Sequence, residues 1–214
     1  RNRNADGSWD RIDGGHRIAD AVCSTALAVW AFANHGHSAS ADRSVYQPIV
    51  ARGVEFLFEH STYTPIAVTP SGNPDTNANG LGLLLGEKPG TYSANWAGYI
   101  RGICLTAVCA AGSAAMTTTA GPFGNGGAGT AYIDIVQDAA DAITWCLGNN
   151  TQGGWGYRTD QHTYADLSIA SWNYVGLEAA EAFGVTLPDW VRPACEPLLT
   201  ANCLPGGTFQ YDPY

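Results

Sequence analysis

Apolar residues recur along this chain at helical spacing, in two alternating patterns. One is apolar nearly all round: the Ala-rich stretch from about Ala21 to Asn34 with Leu27, Trp30 and Phe32, then Trp96 to Ala111, then Leu167 to Phe183. The other is a single stripe: Val50, Val54 and Leu57 between Pro48 and His60, and Ile133, Val136, Ala140, Ile143 and Leu147 between Ala131 and Leu147. A helix apolar all round is expected inside, and a striped one outside with its polar face in water. The second striped helix therefore has Asp134, Asp138 and Asp141 predicted on the solvent side. Gly36, Gly112 and Gly184 end the apolar helices, Gly36 as a natural C′ residue. Thr186-Leu187-Pro188-Asp189 has the Thr-x-x-acid form of a capping box and predicts a last helix to about Thr200. The pattern predicts an all-α single domain, 1–214, of three hairpins at approximately 21–60, 96–147 and 167–203. Two long loops rich in Gly, Thr and Asn, 61–95 and 113–130, separate them.

The third hairpin is introduced by Gln152-Gly153-Gly154-Trp155-Gly156-Tyr157 and then Asp166-Leu167-Ser168-Ile169-Ala170-Ser171-Trp172. Its glycines permit a tight aromatic turn, and Asp166 is placed to cap the helix. Weaker echoes stand at Asp6-Gly7-Ser8-Trp9 and at Gly206-Gly207-Thr208-Phe209-Gln210-Tyr211. Trp9, Trp155, Tyr157, Asp166, Trp172, Phe209 and Tyr211 are thus read as structural residues of repeat junctions, with the turn aromatics locking hairpin to hairpin.

This combination resembles the prenyltransferase and squalene-oxidase repeat families. In their bacterial members a GGW-Y turn, here Gly153 to Tyr157, precedes a D-S-x-x-x-W helix, here Asp166 to Trp172. Ser24 to Phe32 looks like the first inner helix of the same repeat. The resemblance implies an (α/α) toroid-like arc of inner and outer helices, here about three hairpins where full rings of the type hold five to seven. The family chemistry does not come with it. The chain lacks the Asp-x-Asp-Asp run of squalene-hopene cyclases, the Asp-x-Cys zinc element of protein prenyltransferases and the Gly-Cys-Gly-Glu-Gln thioester stretch. Toroid polysaccharide lyases have no firm motif, so a diverged lyase or cyclase stays an alternative.

Composition narrows the setting. The chain is 45% hydrophobic and only 14% charged, against about 25% charged in ordinary soluble domains, so Gly, Ser, Thr and Asn must cover much of the surface. That is the habit of an extracellular or cell-surface protein, and a chain opening on Arg1 reads as a processed mature chain or an excised piece. A net charge of −9 without a Lys/Arg cluster argues against nucleic acid and anionic membranes. The most apolar stretch, around Gly102 to Met116, is too short to span a bilayer. Six cysteines suit an oxidising compartment and allow fifteen pairings. Cys23, Cys104 and Cys109 read as small buried hydrophobes, while Cys195 and Cys203 are the disulfide candidates.

Few residues offer chemistry. Asp75-Thr76-Asn77-Ala78-Asn79-Gly80 matches the front half of a calcium loop, which makes Asp75, Asn77 and Asn79 the candidate Ca2+ ligands. Gly86 stands where the bidentate Glu belongs, and Glu87 is one residue late. An Asx-rich turn without metal is the stronger reading. Asn149-Asn150-Thr151 is a glycosylation acceptor or an ordinary polar helix end, and Thr117 to Thr119 are weaker O-glycan acceptors. His16, His35, His37, His60 and His162 are scattered without a positioned partner. Asp10 with Asp13, or Asp160 with Asp166, are the only acid/base pairs on offer, and carboxylates at turns more often cap helices. The sequence favours a secreted non-catalytic structural module that assembles with itself or with a domain completing the arc. A diverged toroid enzyme and a glycan- or protein-binding module are the alternatives.

Overall fold

The computed structural model describes residues 4–9, 18–40, 43–88, 96–124 and 129–211. Six helices carry the fold: α1 (Ile18–Asn34), α2 (Gln47–Glu59), α3 (Ala97–Ala111), α4 (Tyr132–Gly148), α5 (Leu167–Phe183) and α6 (Val191–Asn202). The protein is mostly α rather than all-α. Each long loop contains a two-stranded antiparallel ladder: β1 (Thr62–Pro65) with β2 (Leu81–Leu84), and β3 (Thr117–Thr118) with β4 (Thr130–Ala131).

α3 lies between α1 and α5 and packs most extensively on both. Its sequence explains why: Arg101 is its one charged residue, and nearly every other position is buried. Around this row, α2 leans on α1 and α3, α4 on α3 and α5, and α6 on α4. One contiguous core joins Val22 and Val29 of α1 to Leu57, Leu105, Ile143, Ile169 and Leu198 of the other five helices. The α3–α5 contact is made close by glycine. A Cβ on Gly102 would stand 2.6 Å from the Trp172 carbonyl carbon, and Gly176 faces Gly102 from the other side. The buried Asn173 amide then donates across the seam to the Gly98 carbonyl at 2.9 Å.

α5 has the bounds its pattern predicts. Asp166 Oδ1 accepts the free N–H groups of Ser168 (2.8 Å) and Ile169 (3.2 Å), and Gly184 closes the helix with φ 115°. The capping box at Thr186 does not form. The Thr186 backbone is engaged instead by the Gln137 amide side chain, at 3.0 Å in both directions. The chain turns through Pro188, and α6 begins at Val191 behind Trp190 with no side-chain cap.

The acidic face of α4 is the larger correction. Asp134 is exposed, but Asp138 and Asp141 are buried. The 61–88 segment lies across this face: β2 packs along α4, and Thr76, Asn77 and Asn79 bond to the two carboxylates. A stripe that looks solvated is therefore the floor beneath a strap.

Candidate functional site

Three polar clusters stand out from the core. The strap gives the first. Asp141 accepts the Thr76 N–H at 3.1 Å, the Thr76 hydroxyl at 3.0 Å and the Gln137 amide at 2.9 Å. Asp138 Oδ1 accepts the amides of Asn77 (2.8 Å) and Asn79 (2.9 Å). The side-chain oxygens of the calcium-loop candidates point back into their own turn. Asp75 accepts from Asn79 N–H (3.2 Å) and Gly80 N–H (2.9 Å), Asn77 from Asn79 N–H (3.2 Å) and Asn79 from Leu81 N–H (2.7 Å). That is the hydrogen bonding of successive Asx turns. Among the described residues no three or more His, Cys, Asp or Glu side chains are grouped to hold a metal ion.

Burial pushes Asp141 up to about 6; the Thr76 and Gln137 donors only partly offset it, and the Asp138 charge adds to it. Burial raises Asp138 as well. A carboxyl with a raised folded-state pKa binds its proton more tightly in the native protein than in the unfolded chain. Its stabilising contribution is complete below the ordinary carboxylate range and is lost as pH rises through about 6. The unfolding midpoint should therefore fall as pH rises from about 4 to about 6 and level off above that. Asp141→Asn, whose amide carbonyl still accepts from Thr76, should flatten that fall. Denaturant titrations at several pH values check this, and an unchanged slope in the variant would refute it.

The second cluster centres on a buried ion pair, Arg101 with Glu87. Arg101 of α3 donates through Nε to Glu87 Oε1 at 2.8 Å, through Nη2 to Thr159 Oγ1 at 2.8 Å and through Nη1 to Cys146 Sγ of α4 at 2.7 Å. Thr159 Oγ1 in turn donates to Glu87 Oε2 at 3.3 Å. One guanidinium thus ties a helix of the central row, a second-row helix and two loops. Burial raises the Cys146 thiol against the pull of Arg101. Sequence reasoning missed this cluster, although its signal was there: a lone Arg amid an uncharged helix must find a buried counter-charge.

The third cluster surrounds the α5 cap. Asp166 Oδ2 accepts from the hydroxyls of Tyr211 at 3.0 Å and of Tyr157 and Tyr164 at 3.4 Å, while Oδ1 accepts from the Ser168 hydroxyl and two backbone N–H groups. Burial pushes this carboxyl up, but these donors outweigh it and hold its pKa below the ordinary value. The Tyr99 hydroxyl reaches Ser168 Oγ at 2.5 Å, and the Tyr99 and Tyr157 rings pack against Trp96. Trp96 sits just before α3 rather than in it and is 43% exposed. Asp160, the proposed acid/base partner of Asp166, is engaged by Arg158 at the surface.

The other candidates disperse. All six cysteines are free: Cys104, Cys146 and Cys195 are buried, Cys23 and Cys109 half-buried, and Cys203 exposed. Cys195 and Cys203 lie on one helix and its C-cap. At about 1.5 Å of rise per residue, eight residues hold their Cα atoms well beyond disulfide reach unless the last turns of α6 unwind. Asn149 caps α4, its amide donating to the Trp145 carbonyl at 2.9 Å. His35, His37, His60 and His162 lie apart from these clusters in helix ends and loops, whereas Asp10, Asp13 and His16 lie outside the described residues.

Trp155 and Trp172 both pack against other helices. Trp155 is 2% exposed and donates Nε1–H to the Ile143 carbonyl at 2.8 Å, linking the turn to α4, and Trp172 meets Trp30 of α1 edge-on at 6.1 Å. Phe209 is 56% exposed, and Tyr211, though 62% exposed, ties the last turn to the α5 cap through its hydroxyl bond to Asp166 at 3.0 Å. Comparison with family models, with curated proteins and with solved structures returns no match.

Proposed function

We propose that this protein is a secreted, non-catalytic structural module of the (α/α) toroid-like kind that assembles with copies of itself through its open hairpin edges. In this reading α1, α3 and α5 are inner helices and α2, α4 and α6 outer ones, the arrangement implied by resemblance to the squalene-oxidase repeat families. One observation carries the proposal. Among the described residues four turns have a positive-φ glycine two positions before an aromatic: Gly7/Trp9, Gly121/Phe123, Gly153/Trp155 and Gly207/Phe209. In the first three the glycine presses on a helix carbonyl, that of Arg52, Phe58 or Ala194 respectively. The fourth is equally well formed, with Leu204 N–H donating to the Thr208 carbonyl at 2.8 Å and Gln210 N–H to Asn202 at 2.9 Å. Yet no described atom lies within 4 Å of a Cβ built on Gly206 or Gly207. The glycine side of this turn faces no described atom, while Tyr211 beyond it holds Asp166. The free flanks fit the same reading: Ser24, Leu27 and Ala31 on α1, and Ser171, Val175 and Ala182 on α5, are exposed, small or apolar. A contact between two different edges repeats head to tail, giving rings or filaments.

Sedimentation and electron microscopy of the purified chain should show species larger than a monomer that grow with concentration and diminish in Phe209→Ser. A monomer that persists at high concentration would sink the proposal. A second reading, a glycan-binding module, is favoured by the exposed Trp96 beside Tyr99, Tyr157 and a carboxylate ringed by hydroxyls. Aromatic faces with convergent polar groups suit sugars. Retention on immobilised polysaccharide, lost in Trp96→Ala, would support it.

A further inference from the structure

We propose that the Asn4–Trp9 turn is a displaceable cap on a groove between α1 and α2, and that the Leu204–Tyr211 turn of a second copy of this chain takes its place. The inference rests on the self-association proposed above and names its contact. Within one chain the groove is filled from the inside. Trp9 N–H donates to Thr25 Oγ1 of α1 at 3.0 Å, and the Trp9 ring lies 6.0 Å from Phe32 of α1 and against Gly53 of α2. Gly7, at φ 95°, passes so close to the Arg52 carbonyl that a Cβ would stand 2.5 Å from it. The Trp155 turn meets α6 by the same geometry. Gly153, at φ 72°, lies equally close to the Ala194 carbonyl, and Gly154 packs on Leu198.

Both grooves therefore require a left-handed glycine, a small residue and an aromatic in that order. Gly207-Thr208-Phe209, with Gly207 at φ 81°, supplies all three without any charge. The three filled turns are not equally exchangeable. Trp155 and Phe123 are buried in the core, whereas Trp9 is only half-buried and Ala5 and Asp6 beside it are exposed. The α1–α2 groove is the one whose occupant leaves at least cost. An aromatic turn waiting without a groove and a groove with a loosely held aromatic turn are complementary parts of one contact.

Two variants separate donor from acceptor. Trp9→Ala/Phe209→Ser has an emptied groove and no donor turn, and the wild-type chain keeps its donor. Emptying the groove raises the fraction competent to bind, so the apparent Kd falls in proportion. By sedimentation the double variant alone should stay monomeric. Mixed with wild type it should form a 1:1 complex about tenfold or more tighter than two wild-type chains form together. Gly7→Val, which clashes with the Arg52 carbonyl, provides an independent way to expel the cap if Trp9→Ala melts at working temperature. A mixture that binds no tighter than wild type with itself overturns the exchange while leaving self-association standing. Wild-type chains that never associate overturn the broader reading instead.

Discussion

Replacing Arg101 by Met is expected to cost this fold about 3–5 kcal/mol, because it removes the guanidinium that offsets the buried Glu87 carboxylate. Glu87 and Arg101 are essentially inaccessible to solvent, and their 2.8 Å contact lies beneath two loops. For a chain of this size the melting midpoint should fall by roughly 6–20 °C. Glu87→Leu/Arg101→Met should recover most of the loss, since removing both charges abolishes the desolvation penalty and a well-packed apolar pair is often as stable as the ion pair. Thermal melts of the single and double variants decide it. A double variant no more stable than the single would show that the charge pair is not what the site requires.

Trp155→Ala should be nearly as damaging, at about 3–5 kcal/mol. The indole fills the junction between α4, α5 and α6, meets Tyr174 edge-on at 5.2 Å and satisfies the Ile143 carbonyl. Truncation removes the packing and the side-chain donor to that carbonyl. Phe209→Ala, at the corresponding place in the last turn, should change monomer stability by no more than about 0.5 kcal/mol, as surface substitutions do. Two aromatics in the same local motif thus differ in effect because one has a groove and the other does not. Denaturant titrations at low protein concentration measure both. Equal losses would mean that Phe209 is buried in solution, which the open turn does not allow.

Much of the framework was legible because it depends on local periodicity. The helices were placed to within a few residues, and α5, which has a strong cap at Asp166 and a glycine stop at Gly184, matched at both ends. Where local signals competed, reading failed. Thr186 has capping-box spacing, but Gln137 of α4 takes its backbone groups and Pro188 delays the helix. The sites were less legible than the helices. Asp138 and Asp141 follow the periodicity of a solvated face, and nothing on that helix announces that Thr76, Asn77 and Asn79 return from sixty residues upstream to cover it. Asn77 and Asn79 are legible as oxygen-bearing candidates for a cation, whereas in the structure their amides donate to a buried carboxylate, and Thr76 carries no such signal. Arg101 could have been flagged as an isolated charge, although its partners Glu87, Cys146 and Thr159 could not be named from spacing.

By itself the sequence determined the helices and the Gly-x-aromatic turns, because each depends on residues within a few positions of one another; it paired α6 with α5, whereas α6 packs on α4. The tertiary structure alone decided which polar residues are buried and which of the like turns are occupied. Burial and occupancy are properties of what arrives from elsewhere in the chain. Gly153 and Gly207 carry the same local instruction; only the carbonyl of Ala194 in front of one, and no described atom in front of the other, makes the first a joint and the second an open end.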